Sequence, residues 1–218
     1  MRPLLVEVPR RFSTEGLLFR AFEAGDGAAL FDAIDRSRDA LRPWLPWVDA
    51  HATRDDSEAF AREAGARFTL REDLSFAVFD GAGALLGGVG LHRFDLDVGR
   101  FELGYWVRAD RQRRGLGARL AKELLSLAFV ALSAARVEAR VDARNAPSAR
   151  LAASLGMLHE GTLRRDSLGP DGALRDTMVF SMLAEEHARA AWSRSTHAAK
   201  LAPPVAGALP LARATWSD

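Results

Sequence analysis

The spacing of hydrophobic and polar residues changes several times along the chain, and each change predicts a new element. Apolar residues three and four positions apart are typical of helices with one buried face, and they occur at residues 25–41, 53–70, 117–132 and 145–157. Short apolar or alternating runs predict strands at residues 17–22, 74–80, 84–94, 99–109, 135–143 and, in two parts around a Gly-Pro-Asp-Gly turn, 158–183. This order predicts a mixed α/β or α+β domain with a largely antiparallel sheet.

Particular residues predict where the helices begin and end. Asp26 is the expected N-cap of the first helix, and Thr53 or Asp55 that of the second, because their side-chain oxygens can accept a bond from a free first-turn N–H. The segment 42–48, Arg-Pro-Trp-Leu-Pro-Trp-Val, cannot continue a helix through its prolines. Gly156 is expected to close the helix at 145–157.

One domain is expected over residues 1–193. Of the 218 residues, 48% are hydrophobic, which is enough for one sizeable core. From residue 194 the chain becomes rich in alanine and proline. Residues 194–218 are therefore interpreted as a flexible or docking tail.

Composition argues against several classes of function. Thirty basic and 29 acidic residues give a net charge of +1, which argues against a dedicated nucleic-acid binder. Without cysteine the chain has no disulfide and no cysteine nucleophile, and its five histidines lack metal-ligand spacing, so no metal is expected. The first residues do not resemble a signal peptide, and the longest apolar run, 116–135, contains charged residues. We therefore expect a soluble cytoplasmic protein without a membrane span.

A cationic segment with two glycines joins the strand at 99–109 to the next helix. It reads Gln-Arg-Arg-Gly-Leu-Gly from Gln112 to Gly117. A Walker A motif is excluded, because Gly117 is followed by alanine and arginine instead of lysine and a hydroxyl residue. The dinucleotide-binding fingerprint fits poorly, because Leu120 stands where the third small residue belongs.

The chemistry of this segment favours binding of a pyrophosphate group. The first turn of a helix has N–H groups without intrahelical partners and carries partial positive charge. Glycine lets the backbone approach an oxygen closely, and neighbouring arginines add donors and charge. The alternative is a glycine-rich turn with solvated arginines, and the glycine pair alone does not decide between the two.

Several ordered motifs together resemble the GNAT N-acetyltransferase superfamily. The segment 112–117 matches the acetyl-CoA signature Q/R-x-x-G-x-G/A between a strand and a helix. Five further segments are similar to the RimJ/RimL-like branch of that superfamily: 41–48, 101–107, 135–157, 160–166 and 172–183. The resemblance covers roughly residues 15–185. It implies an α+β, GNAT-like acyl-CoA N-acyltransferase fold, with a central, mostly antiparallel twisted sheet flanked by helices.

The resemblance implies that acetyl-CoA is the co-substrate and lies where the fourth and fifth strands of the family splay apart. Its pantetheine arm would pair with the strand at Tyr105, Trp106 and Val107. Asn145 would contact that arm or cap the helix that follows. The cofactor-binding residues around the pyrophosphate would be seven consecutive positions: Gln112, Arg113, Arg114, Gly115, Leu116, Gly117 and Ala118.

The resemblance also suggests catalytic residues for direct transfer of acetyl to an amine. An α-amine has a pKa near ~8 and is roughly one tenth neutral at pH 7, so a weak base is sufficient. Glu102 matches the acidic position of the branch and is the candidate base; the alternative is a carboxylate paired with an arginine such as Arg100. Many family members have a tyrosine acid where this chain has Ala152. Ser148 matches the serine to which the branch assigns that role, or else it serves the start of the helix.

The acceptor is the least determined part of the interpretation. Trp44 and Trp47 are candidates for the wall of the acceptor pocket, although such aromatic residues also pack in cores. The branch resemblance suggests a protein N-terminal α-amine and allows a homodimer. Small amines, amino acids and polyamines remain alternatives, as does a non-catalytic acyl-CoA-binding module, which the missing tyrosine favours. Nucleic-acid binding through residues 108–119 would be salt-sensitive, and the balanced charge disfavours it.

Overall fold

The computed structural model describes residues 3–196 of the chain. Within that range the chain forms one eight-stranded sheet: β1 (Arg11–Thr14), β2 (Leu17–Ala21), β3 (Leu74–Asp80), β4 (Leu85–Asp95), β5 (Arg100–Val107), β6 (Arg136–Asp142), β7 (Leu158–Leu168) and β8 (Leu174–Leu183). The same residues form six α-helices: α1 (Gly27–Asp35), α2 (Arg38–Leu41), α3 (Arg54–Leu70), α4 (Leu116–Ser126), α5 (Ala146–Ser154) and α6 (Ala184–Arg189). Helix α4 continues into a π-helical turn at Leu127–Ala131.

The strands are ordered β1-β2-β3-β4-β5-β6-β8-β7 across the sheet. Neighbours are antiparallel except β5 and β6, which run parallel because α4 provides the crossover between them. The predicted α+β class with a mostly antiparallel sheet is confirmed, and each strand and helix predicted from the sequence is present. The connection through α4 is the feature that shapes the candidate site.

Helices cover both faces of the sheet. On one side, which we call the α4 face, Leu120 and Leu124 are fully buried against the layer that contains Phe101 of β5. On the other side, the α1/α3 face, Ile34 of α1 packs in a second cluster with Ala77 of β3. Burial of a leucine or isoleucine side chain stabilises the fold by roughly 1.5–3 kcal/mol. The buried face that the apolar spacing predicts for the helix at residues 117–132 is therefore confirmed.

Strand β1 is an element that the sequence patterns missed. Its four residues alternate between exposed and buried, and they pair with β2 through a tight turn at Glu15 and Gly16. Both turn residues have positive φ, 42° and 81°, which is the two-residue hairpin geometry that matches strand twist. Glutamate rarely adopts this conformation, so the turn gave no clear signal.

The predicted first helix is broken into α1 and α2, and its predicted N-cap residue is confirmed in position but not in its capping hydrogen bond. Asp26 stands at the N-cap position, but its side chain makes no capping bond. Its carboxylate instead accepts two hydrogen bonds from the Arg20 guanidinium, at 2.6 and 2.7 Å, because a charge-assisted bidentate pair is stronger than a neutral cap. The N–H of Gly27 is bound from α3, by Glu58 at 3.0 Å.

The start of α3 decides between the two predicted caps in favour of Thr53. The Thr53 hydroxyl accepts a bond from the Asp56 N–H at 3.1 Å, and the Asp56 carboxylate accepts one from the Thr53 N–H at 2.9 Å. This reciprocal capping box satisfies two backbone donors at once. Asp55 contributes only its charge to the first turn, where a negative charge is favourable.

Beyond β8 the chain adds α6 and a short 3-10 turn at Ser193–Ser195, which were not predicted. Trp192 donates its indole N–H to the carbonyl of Leu155 at 3.2 Å, and Thr196 is buried. The chain therefore remains packed on the domain as far as residue 196. Residues 197–218 lie outside the described residues, so the role of the Ala/Pro-rich tail stays a prediction.

Candidate active site

The sheet opens between β5 and β6. These strands are paired at three positions: Arg100 with Arg136, Phe101 with Val137, and Glu102 with Glu138. Beyond Glu102, β5 continues to Val107, while β6 remains paired with β8 along its whole length. The backbone groups on the free side of β5 therefore face an opening instead of a neighbouring strand.

Helix α4 begins beside this opening. The loop 112–115 and the first residues of α4, 116–118, together form what we call the cradle. Gly115 at the N-cap has a φ of 77° and supplies no side-chain acceptor to the helix. Gly117 lies next to β5 and α5: a Cβ there would be 3.5 Å from Cε2 of Tyr105 and 3.1 Å from Cδ1 of Leu151. Within the described residues the first-turn N–H groups of α4 have no side-chain partner, so they are available to an anion.

Five arginines surround the cradle, in residues 108–119, and they divide into two groups. Three form ion pairs with nearby carboxylates: Arg108, Arg111 and Arg119. Arg113 and Arg114 are exposed and, in the part of the chain that the structure describes, have no ion-pair partner. Two guanidinium groups are therefore free beside the first turn of α4, where they can add to its positive field.

Two side chains hold the backbone that leads into the cradle. Ser37, buried where α1 gives way to α2, accepts a hydrogen bond from the N–H of Ala109 at 2.9 Å. Gln112 donates its side-chain N–H to the carbonyl of Val107 at 3.0 Å. The sequence analysis predicted Gln112 as a backbone contact and did not identify Ser37. These bonds tie the loop to two fixed elements, so the cradle is preorganised.

On the α4 face, the single tyrosine of the chain meets the predicted catalytic serine. The hydroxyls of Tyr105 and Ser148 are 3.0 Å apart. Burial raises the pKa of Tyr105 while the hydrogen bond with Ser148 works against that rise, so the phenol stays protonated at neutral pH. Asn145 caps α5, accepting a bond from the Ser148 N–H at 3.1 Å, so Ser148 is not the cap and its hydroxyl is free to pair.

Glu102 lies on the opposite, α1/α3 face of β5, at the last position paired with β6. Its side chain is 18% exposed and forms an ion pair with Arg93 of β4 at 3.3 Å. The ion-pair partner of Glu102 is thus Arg93 and not Arg100, the alternative expected from the sequence. The carboxylate is thus at the point where the strands part, with one cation beside it.

The predicted pocket tryptophans differ in what they contact. Trp47 stands edge-on to Trp106 of β5, with ring centroids 6.0 Å apart. Trp106 itself lies over Gly88, where a Cβ would be 2.6 Å from the indole nitrogen. Trp44 is half-buried and has no ring contact within residues 3–196. Trp47 and Trp106 therefore form an aromatic wall on the same face as Glu102.

The same face carries a histidine–aspartate pair that the sequence analysis did not identify. His92 of β4 is directly opposite Glu102 in the strand register, and its Nδ1 donates to Oδ2 of Asp73 at 2.6 Å. Burial tends to raise the pKa of Asp73, but the hydrogen bond and charge of His92, together with a bond from Ser75, outweigh it and lower that pKa. Asp73 is therefore an ionised acceptor. The only signal in the sequence was a polar residue, His92, that follows the apolar part of β4.

Two other kinds of site are absent from residues 3–196. No cluster of three or more histidine, aspartate or glutamate side chains there is placed to hold a metal ion. No helix in the same range combines the length and the apolar content needed to cross a bilayer.

Known proteins share this architecture. A family model described as an acetyltransferase (GNAT) domain matches residues 16–158. The uncharacterized N-acetyltransferase p20 of Bacillus licheniformis is 34% identical over 104 residues, which span 48% of this chain and 58% of that protein. YdaF of Bacillus subtilis, a candidate ribosomal N-acetyltransferase, is 25% identical over 185 residues, or 79% of this chain and 93% of that protein. The solved structure of Mycobacterium smegmatis RimJ in complex with CoA-disulfide is also similar. Its chain is 27% identical in sequence to this one and superposes with a TM-score of 0.71, and the match covers 82% of this chain and 87% of the RimJ chain.

Proposed function

The chain belongs to the acetyltransferase (GNAT) family, and we propose that it moves the acetyl group of acetyl-CoA to the α-amine of a protein N-terminus. Family membership makes it an acetyl-CoA-dependent N-acetyltransferase; the acceptor is the proposed part. The observation that carries the proposal is the opening between β5 and β6, which has the cradle beside it and polar side chains on both faces.

The residues around the opening fit acetyl-CoA. The free edge of β5 at 105–107 offers backbone groups to the amides of the pantetheine arm, as a further strand would. The cradle offers first-turn N–H groups and the guanidinium groups of Arg113 and Arg114 to the pyrophosphate. The absence of a side chain at Gly117 lets these groups approach closely, since even a Cβ would press on Leu151.

We assign acid and base to opposite faces of the sheet. The hydroxyl pair of Tyr105 and Ser148 is proposed to donate a proton to the departing sulfur, and Glu102 to accept one from the amine. In the transfer, the amine nitrogen forms a bond to the acetyl carbonyl carbon. The carbon–sulfur bond breaks with its electron pair on sulfur, which then takes the proton. The products are the N-acetylated amine and CoA thiol.

The acidic residues at the start of α3 argue against a polyamine acceptor. Asp56 is engaged with Thr53 in the capping box, and Glu58 accepts bonds from the N–H groups of Gly25 and Gly27 at 3.0 Å each. These carboxylates are satisfied within the protein, so they do not form an open patch for a polycation. YdaF, named for ribosomal N-acetylation, supports a protein acceptor instead.

The acceptor is tested by offering matched amines with acetyl-CoA and measuring CoA thiol release. The set is a peptide with a free N-terminus, the same peptide blocked at the N-terminus but containing lysine, free alanine, and spermidine. We expect acetylation of the free peptide at least ~10-fold above the blocked one, because an α-amine is far more often neutral at pH 7 than a lysine amine. Mass spectrometry then locates the acetyl group on the first residue.

Each alternative acceptor has its own outcome in this experiment. Preferred acetylation of spermidine or alanine would replace the protein acceptor with a small one. Acetyl-CoA binding without transfer to any amine, over a wide set of peptide sequences, would mean a non-catalytic acyl-CoA-binding protein.

A further inference from the structure

The imidazole of His92 occupies a space that the sheet keeps open for it. Gly90 and Gly104 face each other across β4 and β5, and the ring lies over both. A Cβ on Gly90 would lie 2.6 Å from Cε1 of His92, and one on Gly104 would lie 2.9 Å from Nε2. Glycine inside a strand weakens the sheet, so two opposed glycines at this point indicate that the ring position matters.

One nitrogen of the His92 ring is held by a hydrogen bond, and the other is open to a partner. Asp73 holds Nδ1 at 2.6 Å, and Asp73 is itself held by the hydroxyl of Ser75. Within the described residues Nε2 has no hydrogen-bond partner. A carboxylate on one ring nitrogen selects the tautomer that leaves the other nitrogen as a proton acceptor.

The open nitrogen lies where β5 separates from β6. Glu102, the last paired residue of β5, is opposite His92, so the two side chains share one face with Cβ atoms roughly 5 Å apart. Arg93, on the same strand as the histidine, forms an ion pair with Glu102, and Arg67 of α3 adds positive charge near Asp73. The ring therefore lies among two carboxylates and two arginines, beside the opening in which acetyl-CoA is proposed to bind.

We propose that His92 is the terminal acceptor of the amine proton, which Glu102 takes from the acceptor amine and passes to Nε2. This inference rests on the proposed function and deepens it. Asp73 is then a positioning residue that stabilises the imidazolium. The α-ammonium nitrogen gives up this first proton before it attacks, because it has no lone pair while it is protonated; the proton resides on His92 and returns to solvent after the product departs. The nitrogen loses its second proton as the bond to the acetyl carbon forms, and that proton replaces the one that the Tyr105–Ser148 hydroxyl pair gives to the departing sulfur, so both protons of the ammonium are accounted for.

An imidazole is the better final site because a free imidazole binds a proton roughly a hundredfold more tightly than a free carboxylate. Such a relay allows the enzyme to accept the abundant protonated form of an α-amine. Without it, the enzyme must wait for the fraction of about one tenth that is neutral at pH 7. The relay therefore contributes most below the pH at which the free amine loses its proton.

The test is a double-mutant cycle of His92→Gln and Glu102→Gln, with kcat/KM measured between pH 6 and 9 on the best peptide acceptor. In each single variant we expect kcat/KM to fall about tenfold at pH 7 and to change little at pH 9, because the amine is already neutral at pH 9. The double variant is expected to lose no more than either single one, because removal of either residue interrupts the same path. We expect kcat/KM of the wild type to reach its plateau at a lower pH than kcat/KM of the variants.

Asp73→Asn serves as the positioning variant and His159→Gln, on the distant strand β7, as the matched control. Asp73→Asn is expected to lower kcat/KM several-fold at pH 7 with acetyl-CoA affinity unchanged, and His159→Gln to match the wild type. Calorimetric acetyl-CoA affinity and the melting temperature show whether each variant is folded. Two results, with an active wild type, would overturn the relay but not the proposed function. One is a pH profile of kcat/KM in His92→Gln that equals that of the wild type. The other is a double variant in which the losses of the two single variants multiply. A wild type that binds acetyl-CoA but acetylates no amine overturns the proposed function and the relay with it.

Discussion

Replacement of Gly117 with glutamate is expected to weaken acetyl-CoA binding by at least ~100-fold. The Cβ alone would lie 3.1 Å from Leu151, in the first turn where the pyrophosphate is proposed to bind. The added carboxylate would also place a negative charge among N–H groups that otherwise attract the anion. Calorimetric titration of acetyl-CoA into wild type and variant measures the effect directly.

The same substitution separates binding from folding. A glutamate in the first turn of a helix is favourable to the helix, so α4 should not be lost when binding is. Gly81→Glu is the matched control, because Gly81 lies in the β3–β4 turn with open space around its Cβ position. It should bind acetyl-CoA like the wild type. Equal affinity in Gly117→Glu and Gly81→Glu, with both folded, would mean that the glycine pair is merely a turn.

Removal of the Ser148 hydroxyl is expected to lower kcat about 100-fold, at the lower end of what a general acid contributes. Ser148→Ala removes one hydroxyl of the pair proposed to protonate the sulfur, while Tyr105→Phe removes its partner at 3.0 Å. We expect about a tenfold loss for Tyr105→Phe, because Ser148 would keep its place but lose its hydrogen-bond partner. Since burial raises the pKa of Tyr105, the phenol stays protonated up to alkaline pH and imposes no falling limb at neutral pH.

Single-turnover rates with saturating acetyl-CoA isolate this step from binding. Ser154→Ala, on the same helix α5, is the matched control, because the Ser154 hydroxyl is exposed and, among residues 3–196, bonds only to the Leu151 carbonyl. The control should retain the wild-type rate and thereby report on the integrity of α5. A Ser148→Ala variant with unchanged single-turnover rate would leave the sulfur to be protonated by solvent and would remove the hydroxyl pair from the mechanism.

The cradle could be predicted from the sequence because it is local. A strand, a glycine-containing turn and an amphipathic helix follow one another within residues 99–132, so the anion-binding end of α4 is determined by neighbours along the chain. The fold class followed from the order of elements in the same way. Both inferences needed periodicity and turn chemistry alone.

The side-chain pairs at the site needed the strand register, which periodicity does not give. Tyr105 and Ser148 are 43 positions apart, and His92 and Asp73 are 19 apart. The family's usual tyrosine position holds Ala152 in this chain, and the sequence predicts only backbone contacts for Tyr105. The structure shows a tyrosine reaching the serine from the sheet instead of from the helix.

The cap of α1 shows a second limit of local reasoning. Asp26 is the residue type that caps helices, and it stands at the cap position. Arg20 lies six residues earlier on β2, and the loop between β2 and α1 places its guanidinium within 2.7 Å of both Asp26 oxygens. Propensity selected the correct helix boundary, but tertiary structure decided what the carboxylate binds.

The three residue pairs that join β5 to β6 have a consequence for the stability of the whole domain. They form a narrow seam between the half-sheets β1–β5 and β6–β8, and backbone hydrogen bonds at such a seam open locally more readily than those inside a continuous ladder. An extended ligand along β5 would lengthen that seam. A ligand that binds the folded state alone, at a hundred times its Kd, raises the free energy of unfolding by about 2.7 kcal/mol. Bound acetyl-CoA would therefore hold the two half-sheets together. We expect amide hydrogen exchange in β6 to be slower when acetyl-CoA is bound than when it is absent.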